Sequence, residues 1–151
     1  MKNVADPKRL RWLVFVLLPA LLGCQQLSTL METSHQPDPK NELPFGMIDN
    51  PPDHAVVSRQ VQMYGWALDD ERVTEVRFFV DGHFIKTAPL NQGRDDVVKA
   101  YPSYTNGKGD LHGWAVTVPL PTGSSHAIVA QAVDSKGATR DIGAITVTVG
   151  Q

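Results

Sequence analysis

Asp81-Gly82 stands between Phe78-Phe79-Val80 and His83-Phe84-Ile85, and this two-residue interruption constrains the chain more than any other stretch. A type I′ turn needs positive φ at both central positions, which Asp-Gly accepts, and its twist matches that of two antiparallel strands. The flanking segments are therefore expected to pair. Val76, Phe78 and Val80 alternate with Glu75, Arg77 and Phe79, the period-two pattern of a strand with one buried face. Further strands are expected at residues 46–49, 60–67, 113–118, 127–133 and 142–149. They are bounded by turn formers such as Asn50-Pro51-Pro52-Asp53, Pro121-Thr122-Gly123 and Asp134-Ser135-Lys136-Gly137. With residues 76–80 and 83–85 this makes seven short strands in about 105 residues, the pattern of an all-β, two-sheet sandwich. One helical turn is expected at residues 96–101, with Asp96 as its N-cap.

The N-terminus is built differently. Lys2, Lys8, Arg9 and Arg11 precede an apolar run from Trp12 to Leu22, broken by Pro19 and closed by Gly23 and Cys24. That run of 11 residues is too short for a bilayer core, which takes about 20, and has the order of an export signal. Leu21-Leu22-Gly23-Cys24 resembles the lipobox of bacterial lipoproteins. The resemblance implies that residues 1–23 are a cleaved signal peptide and that Cys24 carries a diacylglycerol and becomes the first mature residue. It also implies outer-membrane localisation, because Gln25 stands where an Asp would favour retention in the inner membrane. Residues 24–44 hold Pro37, Pro39 and Pro44 among small polar and charged residues, with few large apolar ones. Such a segment buries too little to offset its ordering entropy and reads as a flexible tether. The folded domain is expected over residues 45–150.

Removal of residues 1–23 takes away four of the 14 basic residues and one of the 16 acidic ones, leaving 10 against 15 and a net charge of −5. No basic stripe with interleaved aromatics survives, so nucleic acid is not an expected partner. Cys24 is the single cysteine, so lipidation leaves no thiol for a disulfide, and the domain must stand on its core. The five histidines, His35, His54, His83, His112 and His126, do not fall at metal-ligand spacing, and no nucleophile-elbow pattern is present. No catalytic residue, metal or cofactor is expected. Asp69-Asp70-Glu71, Asp81 and Asp134 could gather at one end of a sandwich around calcium, but their spacing matches no recognised loop and favours turn-forming acids facing solvent.

Several segments together carry a second likeness: Asn50-Pro51-Pro52, Gly65-Trp66-Ala67-Leu68-Asp69, Val80-Asp81-Gly82, Arg94-Asp95-Asp96-Val97, Tyr101-Pro102-Ser103-Tyr104, Gly113-Trp114 and Ala132-Val133-Asp134-Ser135-Lys136-Gly137. They resemble a bacterial immunoglobulin-like domain of exported and surface proteins. The resemblance implies an immunoglobulin-like β-sandwich used as a spacer, adhesion or assembly module, without catalytic residues. Trp66 and Trp114 each follow a glycine inside an expected strand, which favours core packing. Tyr101 and Tyr104 lie in a longer connection, where side chains are freer to meet a ligand. Arg94 is expected to brace that connection by binding a carboxylate or main-chain carbonyls through its planar fork. Tyr101, Tyr104 and Arg94 are the candidate binding residues, and Cys24 is the lipidation site. The function expected is a non-catalytic envelope lipoprotein that presents one domain to a protein partner. The alternative is a module that binds peptidoglycan or surface polysaccharide.

Overall fold

The structure, a computed structural model, describes residues 39–105 and 111–150; the signal, Cys24 and most of the expected tether lie outside them. Eight strands form two sheets. They are β1 (Phe45–Asn50), β2 (Val56–Val57), β3 (Gln60–Leu68), β4 (Val73–Val80), β5 (His83–Ala88), β6 (Gly113–Pro119), β7 (Ser125–Asp134) and β8 (Thr139–Val149). The smaller sheet has the order β1-β3-β6 and the larger β2-β8-β7-β4-β5. All pairings are antiparallel except β2 with β8. The chain is an all-β, immunoglobulin-like two-sheet sandwich.

The turn between β4 and β5 has Asp81 at φ 50° and Gly82 at φ 80°, and Val80 pairs with His83 across it. Both signs are those required of a type I′ hairpin. The eighth strand, β2, was not expected. Two residues carry no readable period, and Val56–Val57 is a strand only because β8 offers it a parallel edge. β4, β7 and β8 also run further than their apolar patterns, because polar residues such as Thr139, Arg140 and Asp141 still keep the ladder with β7.

Trp114, Phe78, Met63, Ile128, Val118 and Val147 fill the space between the sheets. Trp66 and Trp114 are both buried, but on opposite faces. In the β3–β6 ladder Gly65 lies opposite Trp114 and Trp66 opposite Gly113, a reciprocal glycine–tryptophan pair. The Trp114 ring lies over Gly65 on the core side, where an added Cβ would come within 2.4 Å of it, and meets Phe78 edge-on at 5.1 Å. Trp66 points to the outer face, where a second apolar cluster forms with Leu68, Val97, Phe45 and Tyr104.

The domain also begins earlier than residue 45. Pro44 is fully buried, Asn41 Nδ2 donates to Asp134 Oδ2 at 2.6 Å, and the Tyr104 hydroxyl donates to Glu42 Oε2 at 3.0 Å. Sequence composition reads residues 41–44 as tether because their partners lie 62 to 93 positions away.

Candidate functional site

The connection from β5 to β6 crosses the outer face of the three-stranded sheet as two short helices, α1 (Asp95–Ala100) and α2 (Pro102–Thr105). Val97, 3% exposed, is the apolar residue of α1 that seats on Trp66 and Leu68. Arg94 fastens the start of α1. Its Nη1 donates to Asp49 Oδ2 in β1 at 2.6 Å, while Nε and Nη2 donate to the two oxygens of Asp96 at 2.8 and 2.6 Å. Gly113 makes room for the crossing, since a Cβ there would meet Arg94 Cγ at 2.9 Å.

The expected N-cap role of Asp96 is corrected. The N-cap position is held by Arg94, with no side-chain capping bond, and Asp96 lies in the first turn. A bidentate guanidinium is the stronger claim on a carboxylate, and a negative charge in the first turn also suits the helix dipole. The Arg94 bond, with its charge, lowers the Asp96 carboxyl to about 2. The same ion pairs, that with Asp96 foremost, raise the Arg94 pKa further above its already high value.

Tyr101 and Tyr104 end in different surroundings from those of a free loop. Tyr101, 37% exposed, meets Phe45 edge-on at 5.4 Å and leans over Trp66 at 37°. Tyr104 is half-buried and meets Phe45 edge-on at 4.9 Å, and its hydroxyl pKa is raised, chiefly by the bond to Glu42. The rings form an edge-to-face cluster rather than a coplanar pair. On the same face Met47 and Tyr64 are about half exposed. Sequence reasoning missed Phe45, Met47, Asp49 and Tyr64. Their alternation along β1 and β3 was readable, but the face that carries the helices was not.

A cleft of about 580 Å³ opens beside Tyr104, lined by Asp69, Arg72, Thr74, Leu90 and His112 among others. Asp69 and Asp134, both buried, hold the turns at this end of the sandwich. Asp69 Oδ1 accepts from the amides of Glu71 and Arg72 at 3.0 and 3.1 Å, and Asp134 Oδ1 from those of Lys136 and Ala138, both at 2.8 Å. Burial pushes the Asp69 carboxyl up. Asp81 does not join them. It follows the far end of β4, where Oδ2 lies 2.7 Å from His126 Nδ1 and Oδ1 accepts from the Ala127 amide at 2.9 Å. Among the described residues no three His, Cys, Asp or Glu side chains come together as a metal site.

Fold and site define an immunoglobulin-like β-sandwich module with one sheet face decorated by a helical connection. No protein-family model matches the chain, and no curated protein matches it in sequence. In structure it is similar to the fibronectin(III)-like modules of CbhA from Clostridium thermocellum, with a TM-score of 0.48 and 17% identity over 72% of this chain. It covers 47% of that chain, so it spans about half the length of the structure it matches. CopC from Methylosinus trichosporium matches with a TM-score of 0.38 and 13% identity over 70% of this chain and 92% of its own. A mutant of the SrpA adhesin from Streptococcus sanguinis matches with a TM-score of 0.38 and 16% identity over 72% of this chain and 59% of its own.

Proposed function

We propose that the chain is an outer-membrane lipoprotein, anchored through acyl chains on Cys24, whose single immunoglobulin-like domain is a non-catalytic contact module for an envelope protein. The observation that carries this reading is the outer face of the three-stranded sheet. Met47, Tyr64 and Tyr101 are exposed there, beside a connection braced by Arg94 across β1 and α1. Aromatic and methionine side chains are enriched at protein interfaces, and the few rotamers of tyrosine make its ordering cheap in entropy. A glycan platform asks for a flat, open ring face. The edge-to-face packing of Tyr101 and Tyr104 on Phe45 favours protein contact instead. The engagement of Asp69, Asp134 and Asp81 in turns and ring contacts supports a structural rather than a catalytic use of the acids.

Photo-cross-linking in intact envelopes tests the reading. A cross-linking residue in place of Tyr64 should give protein adducts that survive glycan digestion. One in place of Ala127, exposed on the larger sheet, should give few. Equal yields from both positions, or adducts lost on digestion, would overturn the assignment of this face to a protein partner.

A further inference from the structure

We infer that the outer face of the five-stranded sheet rests on the surface of a lipid bilayer; this rests on the reading of Cys24 as an acylated anchor. Phe78 and Val80 are buried in the core, so Phe79 between them points outward. The register then lays one apolar row across four strands, with Phe84 on β5, Phe79 on β4, Val129 on β7 and Ala144 on β8. Phe84 is 57% exposed and meets Phe79 edge-on at 5.8 Å. Ala127 is exposed beside this row, and Val56, 74% exposed, stands at the far edge of the sheet. None of these six residues is charged.

Charges border the patch and are largely engaged within the domain. Arg77 pairs with Glu75 at 2.8 Å, and Asp141 accepts from Gln131 at 2.9 Å. Asp81 holds His126 and the Ala127 amide, Asp53 accepts from the Thr146 amide, and Lys86 reaches over the sandwich edge to the Thr117 carbonyl. Arg140 and His83 complete the border. Carboxylates match or exceed the permanent cations there, so nothing selects an anionic surface. The attraction is apolar, and a zwitterionic bilayer meets it without a fitted partner surface. Sixteen residues, 25–40, separate Cys24 from Asn41, where the chain joins the sandwich. At about 3.1 Å per residue they keep the domain within about 50 Å of the bilayer. Docking at that range is intramolecular, so a small apolar patch suffices. Apolar area immersed at the headgroup boundary adds to the hold of the acyl chains. The contact turns the opposite, three-stranded face toward partners.

The test is spin labelling of the acylated full-length protein in phosphatidylcholine vesicles. Once Cys24 is acylated no other thiol remains, so Ala127→Cys and, on the three-stranded sheet, Ala115→Cys each take one nitroxide; both positions are exposed. The label at position 127 should collide with dissolved oxygen, which concentrates in the bilayer, and be shielded from a water-borne nickel chelate. The label at position 115 should show the reverse. Phe84→Ser, at an exposed position, should abolish the shielding at position 127. Val56→Ser, at the other edge of the sheet, should weaken it and keeps the inference open to refutation if Phe84→Ser fails to fold. Equal accessibility of the two labels, shielding unchanged in the folded variants, or shielding accompanied by dipolar broadening between two copies would each overturn it. An intact mass without acyl chains would remove the anchor reading and this inference together, whereas equal labels on an acylated protein would remove the inference alone.

Discussion

Arg94 divides one guanidinium between a strand residue, Asp49, and a helix residue, Asp96, and this makes the helical connection sensitive to acid. The Asp96 carboxyl is lowered to about 2 by Arg94, against about 3.9 in an unfolded chain. A group whose pKa falls on folding adds stability that is present above the unfolded value and is lost as pH falls through the folded one. The unfolding midpoint should therefore drop between about pH 4 and pH 2. In Asp96→Asn that pH dependence should be shallower, as read by thermal melts across the range. Identical slopes in the two proteins would mean that the ion pair adds nothing to stability, as many exposed pairs do.

At the scale of elements, β3 and β6 set each tryptophan opposite a glycine, Trp114 opposite Gly65 and Trp66 opposite Gly113. The Trp114 indole needs the bare backbone of Gly65 opposite it, whereas Gly113, opposite Trp66, makes room for Arg94 and Gln92 instead. At Gly65 an added Cβ would lie 2.1 Å from the Met47 carbonyl oxygen and 2.4 Å from the Trp114 ring. The first obstacle is strand backbone and cannot swing aside. Gly65→Ala should cost at least about 1–3 kcal/mol, the range for overpacking a filled core, measured by denaturant unfolding. A change smaller than a few tenths of a kcal/mol would show that β1 and β3 can part without loss. The helical connection is held differently, by Val97 on Trp66 and Leu68 and by Arg94 on Asp49.

At the scale of the whole molecule, two ends of one sandwich carry different polar devices, the Asp69 and Asp134 turns at one and the Asp81–His126 pair at the other. Residues 41–44 dock at the first end. Among the described residues no helix is long and apolar enough to cross a membrane, and the proposed attachment is chemical instead, through Cys24. One acyl chain holds a protein only marginally and two or more hold it stably. Cys24→Ser should therefore abolish metabolic labelling with an acyl probe and leave the precursor uncut by the lipoprotein pathway. Equal labelling of the variant and the parent would remove the lipoprotein proposal.

The hairpin, the all-β class and the burial of both tryptophans were legible in the chain because each depends on neighbours. Period-two alternation needs only the next residue but one, and Asp81-Gly82 carries the φ requirement of its own turn. The fork of Arg94 on Asp96 was within reach for the same reason, since the two are two residues apart. Asp49, the other half of that clamp, is 45 residues away, and only the crossing of α1 over β1 brings it in. Sequence likewise marked Asp69 as a turn former facing solvent, not as a buried carboxylate with one oxygen left without a partner. That state depends on elements from both sheets, and on a connection that burial rather than local propensity lays across one of them. Periodicity and turn chemistry are local and can be read along the chain. Which face is covered, and which polar atom is left without a partner beneath it, are properties of packing, and tertiary structure alone decided them.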